Sequence, residues 1–231
     1  METFEHRPFP FGVGVYTFFD AARYIGASTR DLRRWVRAYH PIARTGPRAP
    51  LWESELLPWR RKGLGFHDLI ELRYVQAMRE AGAGMPLIRR TMELGRSYLG
   101  VTHPLSCERF APYAERIVAE ASASSRGRLE PCVRDQILSD FANGRLREGL
   151  DVEGPERIAR WFPLPSSRMI VLDPNRRAGD PILAEAGVPT IAIAAAYHAD
   201  NQDARFVAWQ FEITEEEVNV AVDFETIRCA A

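Results

Sequence analysis

Apolar positions recur at helical spacing over most of the chain. Thr17 is followed three residues later by Asp20, a capping-box-like start, and Phe18, Ala22 and Ile25 then recur near a 3.6 period until Gly26. That pattern predicts an amphipathic helix closed by the glycine. Ser28 and Asp31 repeat the start signature two residues later, and Leu32, Trp35 and Val36 give a second helix its apolar face. Phe66, Leu69, Ile70, Leu72, Val75 and Met78 predict a third helix ended by Gly82. Met85-Pro86 opens a fourth, with Leu87, Ile88, Met92, Leu94 and Leu99 apolar up to Gly100. The last two read as core-forming helices that brace the first two.

Residues 101–168 change texture. Arg116–Ala119 and Pro131–Val133 lean towards strand, Ser122–Gly127 is polar, Asp135–Phe141 reads as helix, and Asn143-Gly144 is a hairpin-type turn signal. A small, mostly antiparallel β region is predicted. Beyond it, Asp173-Pro174 and Gly179-Asp180-Pro181 mark turns flanking a short extended segment. Thr190 opens an alanine-rich helix, and Asp203 caps a second in which Phe206, Val207 and Phe211 are apolar. Thr214 with Glu217 opens a third carrying Val218, Ala221, Val222 and Ile227. Three such helices predict a compact bundle, itself of helix-turn-helix type. The expected fold is therefore α+β and mainly helical. It comprises a winged helix-turn-helix head at 1–100, a β-rich connecting region at 101–168 and an acidic helical domain at 169–231.

Composition narrows the class. The 231 residues are 46% hydrophobic and 26% charged, close to an average globular protein. No apolar run approaches the roughly 20 residues that span a bilayer. Met1–Pro10 lacks the charged start and apolar stretch of a secretory signal. Cys107, Cys132 and Cys229 are scattered and odd in number, which fits a reducing compartment better than a disulfide framework. The expectation is a soluble cytoplasmic protein.

Charge is unevenly distributed. Residues 1–62 carry 11 Arg/Lys against 6 Asp/Glu, whereas residues 169–231 carry 4 against 11. A basic head and an acidic tail imply two surfaces with different partners, the first suited to a polyanion.

Candidate chemistry follows from the head. Two short helices joined by Gly26-Ala27-Ser28, the second rich in arginine, describe a helix-turn-helix. Arg30, Arg33, Arg34 and Arg37 face outward, where arginine can bond guanine edges or phosphates. Short polar residues at the helix starts (Thr17, Ser28, Thr29) can approach base edges. The tail's last helix offers Glu215, Glu216, Glu217 and Asp223 against Arg228, a charge that phosphates repel, so its partner is expected to be protein. His103 and Cys107 could share a helix face as a metal pair. Pro104 sits between them and no third ligand lies near in sequence, so no metal is expected. No nucleophile-elbow, zinc-protease, Walker or dinucleotide pattern occurs. Neither an enzyme nor a cofactor is expected.

Residues 15–98 resemble the N-terminal module of MerR-like regulators, on Asp20-Ala21-Ala22, Gly26-Ala27-Ser28 and Leu32-Arg33-Arg34-Trp35. The resemblance makes residues 40–65, with four prolines and three glycines, a wing whose Arg44, Arg48, Arg60, Arg61 and Lys62 lie near backbone phosphates. In the tail, Asp173-Pro174, Gly187-Val188-Pro189-Thr190 and the Glu215–Val218 helix start resemble a small bacterial domain found in antitoxins. Together the two halves look like VapB-type antitoxins encoded beside PIN-domain ribonuclease toxins. That resemblance implies an autoregulator that binds an inverted-repeat operator as a homodimer or larger assembly and sequesters the toxin. Many antitoxins inhibit through a disordered C-terminal peptide; this tail reads as folded, which leaves the toxin-binding surface open. A free-standing MerR-like regulator with a small-molecule sensor in residues 101–168 is the alternative.

Overall fold

The structure, a computed structural model, describes residues 11–37, 49–59, 62–124, 130–142, 145–153 and 157–230. Among these the chain is mainly helical, with two small antiparallel sheets. Arg44, Arg48, Arg60 and Arg61 of the expected wing, and the Asn143-Gly144 turn, lie outside the described residues.

The head follows its cap signals. In α1 (Phe18–Ile25) the Thr17 hydroxyl accepts the Asp20 N–H at 3.0 Å, and Gly26 closes the helix at φ 67°. In α2 (Thr29–Val36) the Ser28 hydroxyl accepts the Asp31 N–H at 3.1 Å. Each such cap stabilises by about 1 kcal/mol. Leu32, Trp35 and Val36 are buried, as their spacing requires. Tyr16 and Leu64 exchange both backbone hydrogen bonds at 2.9 Å, so the residues entering α3 are bridged to those entering α1. α3 (Phe66–Glu80) and α4 (Met85–Leu99) then pack beneath. One buried cluster runs from Tyr16 through both of them to Leu172.

The middle departs from the predicted β region. Arg116–Ala119 lies in α5 (Ala114–Ser124), and Pro131–Val133 begins α6 (Pro131–Ala142). Isoleucine and valine at 117 and 118 suit a strand in isolation. Over a longer window Ala114, Ile117, Val118 and Ala121 are the buried set, which is a 3.6 period. Pro131 stands at a first helical position, where a missing N–H costs nothing. What strand there is forms one hairpin, β1 (Leu150–Glu153) against β2 (Arg157–Trp161). Its register runs Leu150↔Trp161 and Asp151↔Arg160, then slips at Val152↔Ile158.

Beyond Trp161, which bridges to Leu172, β3 (Ile170–Val171) pairs with β4 (Ile182–Leu183). The extended pieces thus lie outside the two Pro-marked turns rather than between them. α7 (Thr190–Ala199), α8 (Ala204–Phe211) and α9 (Glu215–Ala230) follow. Asp203 caps α8 through the Phe206 N–H, and Thr214 exchanges cap bonds with Glu217 at the start of α9. Leu183, Ile193, Val207, Val218 and Ala221 form their core. The Thr190 hydroxyl donates to the Glu225 carboxylate at 2.5 Å in the interior, tying α7 to α9.

Tail and head meet at Tyr24 of α1. Its ring stacks on Phe224 of α9 at 6.3 Å and meets Trp161 and Tyr16 edge-on; such pairs each add roughly 0.5–1.5 kcal/mol beyond burial. Val15 N–H donates to Ala178 at 2.8 Å beside them. Gly179, at φ +90°, lies so close to the Tyr16 hydroxyl that a Cβ there would collide with it. No helix among the described residues is long and apolar enough to cross a membrane.

Candidate nucleic-acid interface

At 3.6 residues per turn, Arg30, Arg33 and Arg34 project from α2 within an arc of about 100°, opposite Leu32, Trp35 and Val36, and Arg37 is its C-cap in extended backbone. All four are exposed. Two of them are also held in place: the guanidinium of Arg37 lies 4.7 Å, and that of Arg33 5.9 Å, from the centre of the buried Phe18 ring. Arg23 covers Phe19 on α1 in the same way, at 5.2 Å. A cation stacked on an aromatic face keeps its N–H edge for another acceptor.

The other predicted positions divide. The hydroxyls of Thr17 and Ser28 serve their own helices, each donating back to the carboxylate it caps, at 2.6 Å to Asp20 and 2.7 Å to Asp31. Thr29 is half-buried and Lys62 is exposed. Lys62 stands two residues before Leu64, so the Tyr16 bridge places it beside the start of α1.

Sequence reasoning missed what holds this surface up. Asp68, fully buried on α3, accepts from Trp52 Nε1 at 2.6 Å, Ser54 Oγ at 2.6 Å, the Gly65 N–H at 2.8 Å, the Glu55 N–H at 3.1 Å and His103 Nε2 at 2.9 Å. One carboxylate thereby gathers the segment 52–55, the start of α3 and the loop after α4. A turn further along α3, fully buried Glu71 accepts the N–H groups of Leu105 and Ser106, each at 2.9 Å. Glu55 in turn accepts from the His67 backbone and ring. From below, Arg89 donates to the carbonyls of Ala49 and Pro50, and Arg96 donates to that of Leu51. The Leu51 N–H reaches the Trp35 carbonyl at 2.7 Å, so α2 itself is joined to this frame.

The electrostatics are those of a brace. Burial alone would raise Asp68; the His103 hydrogen bond and charge, with those from Ser54 and Gly65, outweigh it and hold the carboxyl below its ordinary value. Burial likewise works against a charged His103, but the hydrogen bond to Asp68 and the charges of Glu71, Asp68 and Glu55 lift its pKa above the usual imidazole value. Glu71 goes up, because burial exceeds the help it receives from His103 and its two N–H donors. Every strong donor and acceptor here is turned inward onto another part of the chain. His103, considered above as a metal ligand, is a member of this network, and among the described residues no group of three or more His, Cys, Asp or Glu is arranged so that it could hold a metal ion.

The middle region also contains an apolar pocket, where Tyr74, Leu105, Cys107 and Phe141 meet Leu150 and Ile158 of the hairpin. Its free interior is about 20 Å³, room for about a single water. Small-molecule sites run to roughly 300–1,000 Å³.

No protein-family model matches the chain, and no curated protein matches it. Among solved structures it is similar to the crystal structure of Rv2018 from Mycobacterium tuberculosis. The TM-score is 0.65 at 19% identity, over 93% of this chain and 100% of that one. At that identity the likeness is one of fold.

Proposed function

We propose that this chain is a DNA-binding antitoxin. In this reading α1, the Gly26-Ala27-Ser28 turn and α2 form a helix-turn-helix, and α2 enters the major groove with Arg30, Arg33, Arg34 and Arg37 leading. Lys62 and the arginines between 40 and 61 contact flanking phosphates as a wing. The protein acts in the cytoplasm as a symmetric dimer on an inverted-repeat operator. The acidic tail sequesters a PIN-domain ribonuclease, and the chain itself catalyses nothing.

The observation that carries this reading is the arginine stripe. Three exposed arginines lie on one face of an eight-residue helix whose other face is buried and a fourth, Arg37, caps its end, with the helix fixed to a rigid frame through Trp35 and Leu51. A solvated surface helix gains nothing from like charges on one face, which repel one another. A polyanion turns that repulsion into attraction. The ligand-sensing regulator is supported less well: the apolar pocket holds about 20 Å³, and the roomier cleft of about 640 Å³ beside α6 is a surface recess lined largely by Arg73, Gln76, Glu80, Gln136 and Asp140, unlike the mostly apolar linings of small-molecule sites.

The test is titration of a promoter fragment. Arg30→Ala or Arg34→Ala is expected to cost about 1–3 kcal/mol on the operator, whereas Lys62→Ala weakens all sequences alike. Unchanged affinity in all three variants overturns the assignment.

A further inference from the structure

The helix α8 turns its largest side chains outward. Phe206 is 44% exposed and Trp209 75% exposed, although Val207 and Ala208 between them are buried. The two rings touch, with centroids 5.8 Å apart and planes tilted by 36°. At 3.6 residues per turn they sit within about 60° of each other, in the middle of the solvent face and flanked by Arg205 and Gln210. Acidic residues stand at both ends of this short helix: Asp203 as its N-cap, Glu212 as its C-cap, and exposed Glu215 and Glu216 just beyond at the start of α9.

Paired aromatic rings in water are a costly surface for a protein to keep, and Trp is the residue most enriched where one protein anchors in another. Base stacking is the other common use of exposed rings. The acidic ends argue against it, because Asp203, Glu212, Glu215 and Glu216 outnumber Arg205 around the rings and the balance repels phosphate. What fits is a protein surface with an apolar depression rimmed by Lys and Arg.

We propose that this face of α8 is the docking surface for the ribonuclease. The assignment rests on the antitoxin reading and adds to it the location and chemistry of the contact. A ribonuclease must present cations to its RNA substrate, so its active-site rim matches the acidic ends of α8, and the Phe206–Trp209 pair fills the apolar centre. Binding there covers the rim that RNA needs, which inhibits without any disordered peptide.

The experiment uses the full chain and the purified ribonuclease encoded beside it. Affinity, inhibition of RNA cleavage, promoter binding and the thermal midpoint are measured for wild type and for Phe206→Ala/Trp209→Ala. The expected result is binding weakened by about 30-fold or more, with inhibition lost in step and both promoter affinity and thermal midpoint unchanged. If the double variant unfolds, Glu215→Gln/Glu216→Gln decides, since both sites are exposed; it is expected to slow association and flatten its salt dependence. Wild-type affinity in the aromatic variant, or undiminished salt dependence in the acidic one, overturns the surface while leaving the antitoxin reading standing. Wild type that fails to bind the ribonuclease overturns both. If the aromatic variant loses only self-association, measured by sedimentation, the occupant is a second copy and the proposal fails.

Discussion

Two helices of eight residues, α2 in the head and α8 in the tail, are built alike and present different faces to solvent. Each begins on a side-chain cap, Ser28 or Asp203, that accepts the N–H three residues on. Each buries one side: Leu32, Trp35 and Val36 of α2 in the core of the head, and Val207 and Ala208 of α8 against α7 and α9. They differ in what is left outside: three arginines on α2 with a fourth at its C-cap, and a Phe–Trp pair between acidic ends on α8. Local construction therefore says that a helix forms there, and the solvent face says what it meets. The supports differ too. α2 stands on a frame tied together by the buried Asp68 and Glu71, whereas α8 rests on an aliphatic core with Thr190–Glu225 as its polar tie.

The sharpest break in that comparison is at the frame. Asp68→Ala leaves the donors of Trp52, Ser54, Gly65 and His103 without their acceptor inside the protein, and is expected to cost about 3–5 kcal/mol in urea unfolding. A loss below 1 kcal/mol would mean that the carboxylate organises nothing. The next effect separates the two solvent faces. Arg30→Ala removes about 1–3 kcal/mol of operator affinity and leaves the thermal midpoint in place; Trp209→Ala leaves both in place, within about 0.5 kcal/mol for the fold. A loss of DNA binding with Trp209→Ala would merge the two surfaces that are separated here.

A pH series sharpens the difference in support. The folded pKa of His103 is raised above its ordinary 6.5, so its stabilisation is complete below that pH and lost as the pH rises through the raised value. Asp68 is depressed from 3.8, and its part disappears only on acidification below that. Glu71, raised from 4.5, also costs stability as the pH climbs, in wild type and variant alike. The gap in thermal midpoint between wild type and His103→Asn should therefore narrow from pH 6 to pH 9. A constant gap would remove His103 from the account. The smallest effect belongs to Lys62→Ala, which should reduce the slope of log affinity against log salt by about one.

Much of this was legible in the sequence. The caps at Thr17, Ser28, Asp203 and Thr214 placed four helices, because the signal is local and the structure uses each one. The arginine face of α2 followed from a single wheel. Residues 116–119 were misread because four residues with Ile117-Val118 at their centre satisfy strand propensity, and only the set Ala114, Ile117, Val118 and Ala121 reveals the period. In the sequence Phe206 is only an apolar position of its helix, together with Val207 and Phe211. A narrow helix cannot bury residues on every side, and Val207 with Ala208 took the inner face. The frame was out of reach for another reason: Asp68 meets Trp52 across 16 residues and His103 across 35, and Glu71 meets Ser106 across 35. No spacing rule covers partners that only the completed fold brings together.

The central claim is that α2 reads DNA, and salt-resolved anisotropy on a promoter fragment tests it most directly. Wild type should bind with an affinity that falls steeply with salt. Arg30→Ala/Arg34→Ala should lose most of its preference for the promoter over random DNA, with an unchanged thermal midpoint. Equal affinity and slope in wild type and double variant would contradict the account and return the arginine stripe to an ordinary solvated face.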